Sequence, residues 1–143
     1  MEPPEPVDAY GDTEHLLVDY LASAIWPPDV GEVRAAVALP HDWTPRVGYS
    51  VVQVAVDSSV HHAAWGGHSL AQDVLVRLTA WPAAAEGTNL PSPTRAKRLC
   101  RLAESVLMAW PGRPVSGVVS TDDAPSGVPI ATCTVTVGRA PTN

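Results

Sequence analysis

The chain has 143 residues, of which 45% are apolar and 17% charged, a balance that excludes disorder of the whole chain and suits one ordinary domain. Its net charge is −6 and is placed unevenly: residues 1–33 carry eight acids and no Lys or Arg, and the rest carries seven acids and nine bases. An acidic head on a slightly basic body argues against a nucleic-acid binder that uses one broad basic face.

The start, Met-Glu-Pro-Pro-Glu-Pro, is acidic and proline-rich, the opposite of a secretory leader. Residues 1–11 read as a tail, 12–139 as a single domain and 140–143 as a second tail. Asp12 is the expected N-cap of a first helix. Leu16, Leu17, Tyr20, Leu21, Ala24 and Ile25 follow at helical spacing, and Pro27-Pro28 stops the helix at about Trp26.

Val33, Ala35, Val37 and Leu39 alternate and predict a strand over 32–39. Residues 40–48 hold two prolines and a glycine and read as a loop. A second strand is expected over 49–56, with Val52, Val54 and Val56 on one side. Residues 57–69 lack periodicity, contain Gly66-Gly67, and read as a long exposed connection. A third strand over 72–81 puts Val74, Val76, Leu78 and Ala80 inward and Asp73, Arg77 and Thr79 outward.

Ser92 followed by Pro93 is a strong helix start. Ala96, Leu99, Cys100, Ala103, Val106, Leu107 and Trp110 then recur at steps of three and four, before Pro111-Gly112 ends the helix. A short strand is expected over 115–119, a polar turn over 121–127, and a last strand over 130–137. In that strand Ala131, Cys133, Val135 and Val137 face inward, and Thr132, Thr134 and Thr136 outward. The order helix, three strands, helix, two strands predicts an α+β fold: one mixed or antiparallel sheet of about five strands against two α-helices.

His61, His62 and His68 share one loop with Asp57 and Asp73 at its ends, a donor set of the kind zinc takes. The spacings are not those of a metal site, and adjacent histidines on an extended backbone face opposite ways. No Gly-x-Ser-x-Gly elbow and no phosphate-cradling glycine loop occurs. The two cysteines, Cys100 and Cys133, lie in apolar patterns and read as buried free thiols rather than nucleophiles. The expectation is no catalytic residue, no metal, no cofactor and no membrane span, with a small metal-dependent hydrolase using the 61–68 histidines as the alternative of a different class.

Two features point to interfaces instead. Arg95, Lys97, Arg98 and Arg101 crowd four bases into the N-terminal half of the second helix, where positive charge opposes the helix dipole. An acidic partner, either the chain's own N-terminal segment or a neighbouring subunit, would offset that cost. Trp43 and Trp65 sit in loops, and large loop aromatics are enriched at interfaces. The candidate interface set is therefore Trp43, His61, His62, Trp65, Arg95, Lys97, Arg98 and Arg101.

The order of elements resembles that of tail terminators and related head–tail joining proteins of long-tailed bacteriophages, particularly those of actinobacteria. The resemblance spans most of residues 13–139. It is carried by the helix segment 16–21 (LLVDYL), the strand segment 50–54 (SVVQV), the Gly66-Gly67 loop, the strand segment 73–81 (DVLVRLTAW), the helix 96–107 and the final strand 131–137 (ATCTVTV). Where family members carry an Arg-Thr-Gly-Gly turn, this chain has Ala64-Trp65-Gly66-Gly67. The resemblance implies a non-catalytic virion protein of the tail and neck, assembled in the host cytoplasm as a hexameric ring. Such a ring caps the head-proximal end of the tail tube, stops its polymerisation and meets the head-closure protein. Another head–tail connector or tail-completion subunit is the near alternative. DNA would cross the lumen without specific binding, and six copies totalling about −36 would repel phosphate.

Overall fold

The computed structural model of the chain describes residues 6–62, 71–85, 88, 90–109, 115–116 and 120–139, with side chains over 14–56, 75–85, 88, 90–109 and 120–136. The elements run α1 (Pro6–Ala22), a 3-10 turn (Pro28–Val30), β1 (Val33–Ala36), β2 (Ser50–His62), β3 (Ala71–Trp81), α2 (Pro93–Met108), β4 (Val115–Ser116), β5 (Ser120–Asp123) and β6 (Pro129–Arg139). The six strands form one sheet in the order β1-β2-β3-β6-β4, with β5 also on β6. β4 and β5 share the outer edge of β6, so the sheet is five strands wide. Among the described residues β1 and β2 pair in parallel and the other strand pairs are antiparallel. The expected α+β fold, one mixed sheet against two helices, is the observed one.

Both helices lie on the same face of the sheet. Their apolar faces meet the inward residues of β2, β3 and β6 in one core. Leu17 and Leu21 come from α1, and Ala96, Leu99, Cys100, Ala103 and Leu107 from α2. Val52, Val54, Val76, Leu78, Ala80, Ala131, Cys133 and Val135 come from the sheet. These positions are the ones the alternating and three-four spacings select, because a half-covered sheet must bury one face and wet the other.

A second, smaller cluster lies on the opposite face. Trp43, Val51 and Val128 are buried there, with Ala36, Leu39, Tyr49 and Trp81 against them. The crossover between β1 and β2 supplies it: a parallel pair needs a long return, and this one folds back over the sheet. Away from that cover, the helix-free face carries a row across the sheet in which Gln53, Thr79, Thr132 and Ser120 are neighbours. Ser120 and Thr132 join through their hydroxyls at 3.2 Å.

Several elements differ from expectation. α1 begins at Pro6, ahead of the Asp12 cap, because proline in a first helical turn forfeits only an N–H that would have no partner there. It ends at Ala22, before Trp26, and leaves Ile25 97% exposed instead of on the apolar face. The exposed connection expected over 57–69 is largely strand. β2 continues to His62 and pairs with β3 down to His62 opposite Ala71, through a register shift between Val56 and Ser58. Asp57, Ser58 and Ser59 break the apolar alternation, but a ladder is made of backbone groups and does not require it. The polar turn expected over 121–127 begins as strand β5, whose four residues are all exposed, and polar side chains suit an edge strand. The turn itself is Ala124–Gly127, closed by Gly127 N–H donating to Ala124 O at 2.7 Å, with Gly127 at φ +85°.

Candidate interface surfaces

α2 starts as the sequence demands. Ser92 Oγ accepts from the Arg95 N–H at 3.1 Å, and Pro93 occupies the first turn. The buried face of α2 then fixes where its four bases point. Arg95 turns back onto the chain: its Nε donates to Ala83 O at 2.8 Å and Nη1 to Asp29 O at 3.4 Å. Arg98 grips the Asp29 carboxylate with two donors, Nε to Oδ2 at 2.5 Å and Nη2 to Oδ1 at 2.9 Å. That fork holds the Asp29 carboxyl below the usual carboxylate range and raises the Arg98 guanidinium. Arg98 therefore finds its acid partner within the chain's own N-terminal segment, in the 3-10 turn after α1, while Arg95 is held by backbone carbonyls.

Lys97 and Arg101 are exposed. Among the described residues neither has an ion-pair partner. With Thr94, Arg98, Leu102 and Ser105 they line a shallow groove along the outer face of α2.

Trp43 is 7% exposed and belongs to the second core cluster. Its Nε1 donates to Tyr49 O at 3.0 Å, and its ring meets Trp81 edge-on at 5.9 Å. The loop position is as expected, but the crossover folds inward and turns the indole onto the sheet. Trp81 Nε1 in turn donates to Gln53 Oε1 at 3.1 Å. Above this pair, Leu39, Pro40, Pro45, Leu90 and Val128 complete an apolar cleft of about 530 Å³.

His61 and His62 lie at the far end of β2, opposite Gln72 and Ala71. They stand on a strand, not in the loop expected for them. Trp65 and His68 lie outside the described residues. Among the described residues no group of three or more His, Cys, Asp and Glu side chains is placed to hold a metal ion. Among them, too, no helix is long and apolar enough to cross a membrane.

Two contacts escaped the sequence reading. Glu14 Oε1 accepts the Val56 N–H at 3.1 Å, where the β2 ladder shifts register. Cys100 and Cys133 are both free and buried in the core between α2 and β6. The neighbouring Cys133 thiol, burial and the nearby Glu104 carboxylate push the Cys100 thiol well above the usual range. A thiol so placed is a packing group, not a nucleophile. The bulge had no local signal, since glutamate at a helix edge looks like any solvated acid. The thiol pair was legible only as two inward positions on separate elements.

No protein-family model matches the chain, and no curated protein matches it.

Proposed function

We propose that the chain is a structural virion protein of the phage tail terminator type, which closes into a ring on the head-proximal end of the tail tube. The observation that carries the reading is the order and layering of the elements. A first helix, a parallel strand pair extended into a long β2–β3 hairpin, a second helix and a last strand that pairs β3 on one side and β4 and β5 on the other build a sheet with both helices on one face. The segments that resemble the family, 16–21, 50–54, 73–81, 96–107 and 131–137, lie in α1, β2, β3, α2 and β6, the elements that enclose the main core. The fold also offers what a closed ring needs, two unlike surfaces on one chain. One is the helix layer with its separated acids and bases, and the other is the helix-free face with its polar row. In this reading the tail tube protein and the head-closure protein are the partners, and DNA passes through the lumen unbound.

The test is assembly. The purified chain is mixed with polymerising tail tube protein and imaged by electron microscopy. Rings with a duplex-wide lumen, and tubes whose growth stops at one capped end, are expected. Tubes that lengthen equally with and without the chain would overturn the reading. The place of the ring in intact virions separates a terminator from a neighbouring connector subunit.

A further inference from the structure

The apolar cleft on the helix-free face, of about 530 Å³, lies where three connections meet: the β1–β2 crossover, the segment after β3 and the β5–β6 turn. Trp43, Trp81, Pro45 and Leu90 give it apolar walls, and Leu90 is 56% exposed. The indole N–H groups of both tryptophans are taken within the fold by Tyr49 O and Gln53 Oε1, so their rings offer the cleft apolar surface alone. His41, Thr44 and Ser126 also line it, are exposed, and supply its N–H and O–H donors. Among the described residues no acid lines the cleft, and exposed Arg46 follows the lining residue Pro45.

These features suit an extended, acidic, proline-rich segment. Polyproline II has no internal hydrogen bonds and proline brings no N–H, so such a segment presents open carbonyls. It docks in aromatic-lined grooves with donors at the rim. Residues 1–5, Met-Glu-Pro-Pro-Glu, followed by Pro6, are of that composition, and Glu2 and Glu5 are opposite in charge to Arg46.

We infer that residues 1–5 of one copy of this chain dock in the Trp43–Trp81 cleft of a second copy. Reach excludes the segment's own cleft. Glu14 on α1 stands level with Val56, whose N–H it accepts at 3.1 Å. The chain after α1 arrives beside Ala83, since Arg95 donates to both Asp29 O and Ala83 O. Ala83 lies just past Trp81, the partner of Val51, so α1 runs toward the cleft end of the sheet and starts at the other end. Val51 to Val56 is about 17 Å of strand, and Glu14 back to Pro6 adds about 12 Å of helix. The cleft is also on the face opposite α1. The five residues 1–5 span at most about 18 Å when fully extended, so the cleft they fill is a neighbour's. Segment and cleft are unlike surfaces of one chain, and the contact therefore repeats in one direction. The inference does not rest on the terminator reading and holds for any assembly of this chain.

The experiment is a complementation between two variants of the full chain, read by light scattering and sedimentation across a concentration series. Circular dichroism checks the fold of each. The head variant carries Glu2→Ser, Pro3→Gly, Pro4→Gly and Glu5→Ser. The cleft variant carries Arg46→Glu and Leu90→Asp, both at exposed positions. Wild type is expected to self-associate, and each variant alone to do so about tenfold or more weakly. Mixed, the head variant supplies an intact cleft and the cleft variant an intact head, so dimers and nothing larger are expected. A peptide of residues 1–6 should change the tryptophan fluorescence of the head variant and leave that of the cleft variant unchanged. A wild type that stays monomeric overturns both this contact and the ring; if it still binds the peptide, the cleft belongs to a proline-rich segment of another protein. Assembly that is unchanged in either variant, or a mixture that forms no dimer, overturns the contact while the ring can stand. Assembly that follows the expected pattern but fails to cap tubes leaves the contact intact and removes the terminator reading.

Discussion

Arg98 holds Asp29 in a two-pronged grip across 69 residues of sequence, with Nε to Oδ2 at 2.5 Å and Nη2 to Oδ1 at 2.9 Å. The grip fastens the start of the second helix to the turn that follows the first. It also divides the basic cluster of α2 into an inward pair, Arg95 and Arg98, that serves the fold and an exposed pair, Lys97 and Arg101.

This pair makes stability depend on pH. The folded carboxyl of Asp29 titrates below its unfolded value, so its contribution is complete above the ordinary aspartate pKa of about 3.9 and fades as pH falls through the lower folded value. Asp29→Asn should lower the denaturation midpoint at pH 7, and the gap to wild type should close in strong acid. Because both side chains are about half exposed, added salt should narrow the gap too. A gap that persists unchanged at pH 2 would contradict the assignment.

The β2 bulge depends on Glu14. Glu14→Ala removes the acceptor of the Val56 N–H at a half-buried position, and should cost about 1–3 kcal/mol in urea denaturation. Glu14→Gln keeps an acceptor oxygen and should recover most of it. Hydrogen exchange at the Val56 amide offers a local check: faster exchange is expected in the alanine variant and near-native exchange in the glutamine variant.

The cap of α2 is a separate lever. Ser92→Ala should lower stability by about 1 kcal/mol, and Ser92→Asp should hold it near wild type. The aspartate also places negative charge at the helix start, where it offsets the bases that follow. Equal stability of all three proteins would show that the Ser92 hydroxyl contributes nothing.

The thiols report on the core. Cys100 is fully buried and Cys133 is 3% exposed, so neither should react with an aromatic disulfide reagent in the folded protein. Labelling should rise with urea in step with the loss of far-ultraviolet circular dichroism. Cys133→Ser should destabilise by about 1–3 kcal/mol, since it places a more strongly hydrogen-bonding group in an apolar site. Rapid stoichiometric labelling under native conditions would show that the layer between α2 and β6 opens readily.

What the amino-acid order determined is the pattern of burial. Alternation fixed the inward faces of β3 and β6, because a sheet covered on one side leaves no other way to hide Val76, Leu78, Cys133 and Val135. Three-four spacing after a Ser-Pro start fixed α2 and its buried stripe for the same reason. Tertiary structure decided whatever depends on partners distant in the chain. β2 reaches His62 because β3 is there to pair with it, although residues 57–59 show no apolar rhythm. Trp43 leaves the surface because the crossover of a parallel pair must return over the sheet, and the returning loop finds Trp81 and Val128. The acidic head and the basic helix stand out in the sequence as opposite charges. Only the packing of the 3-10 turn beside α2 decided that Asp29 takes Arg98, leaving Lys97 and Arg101 facing outward.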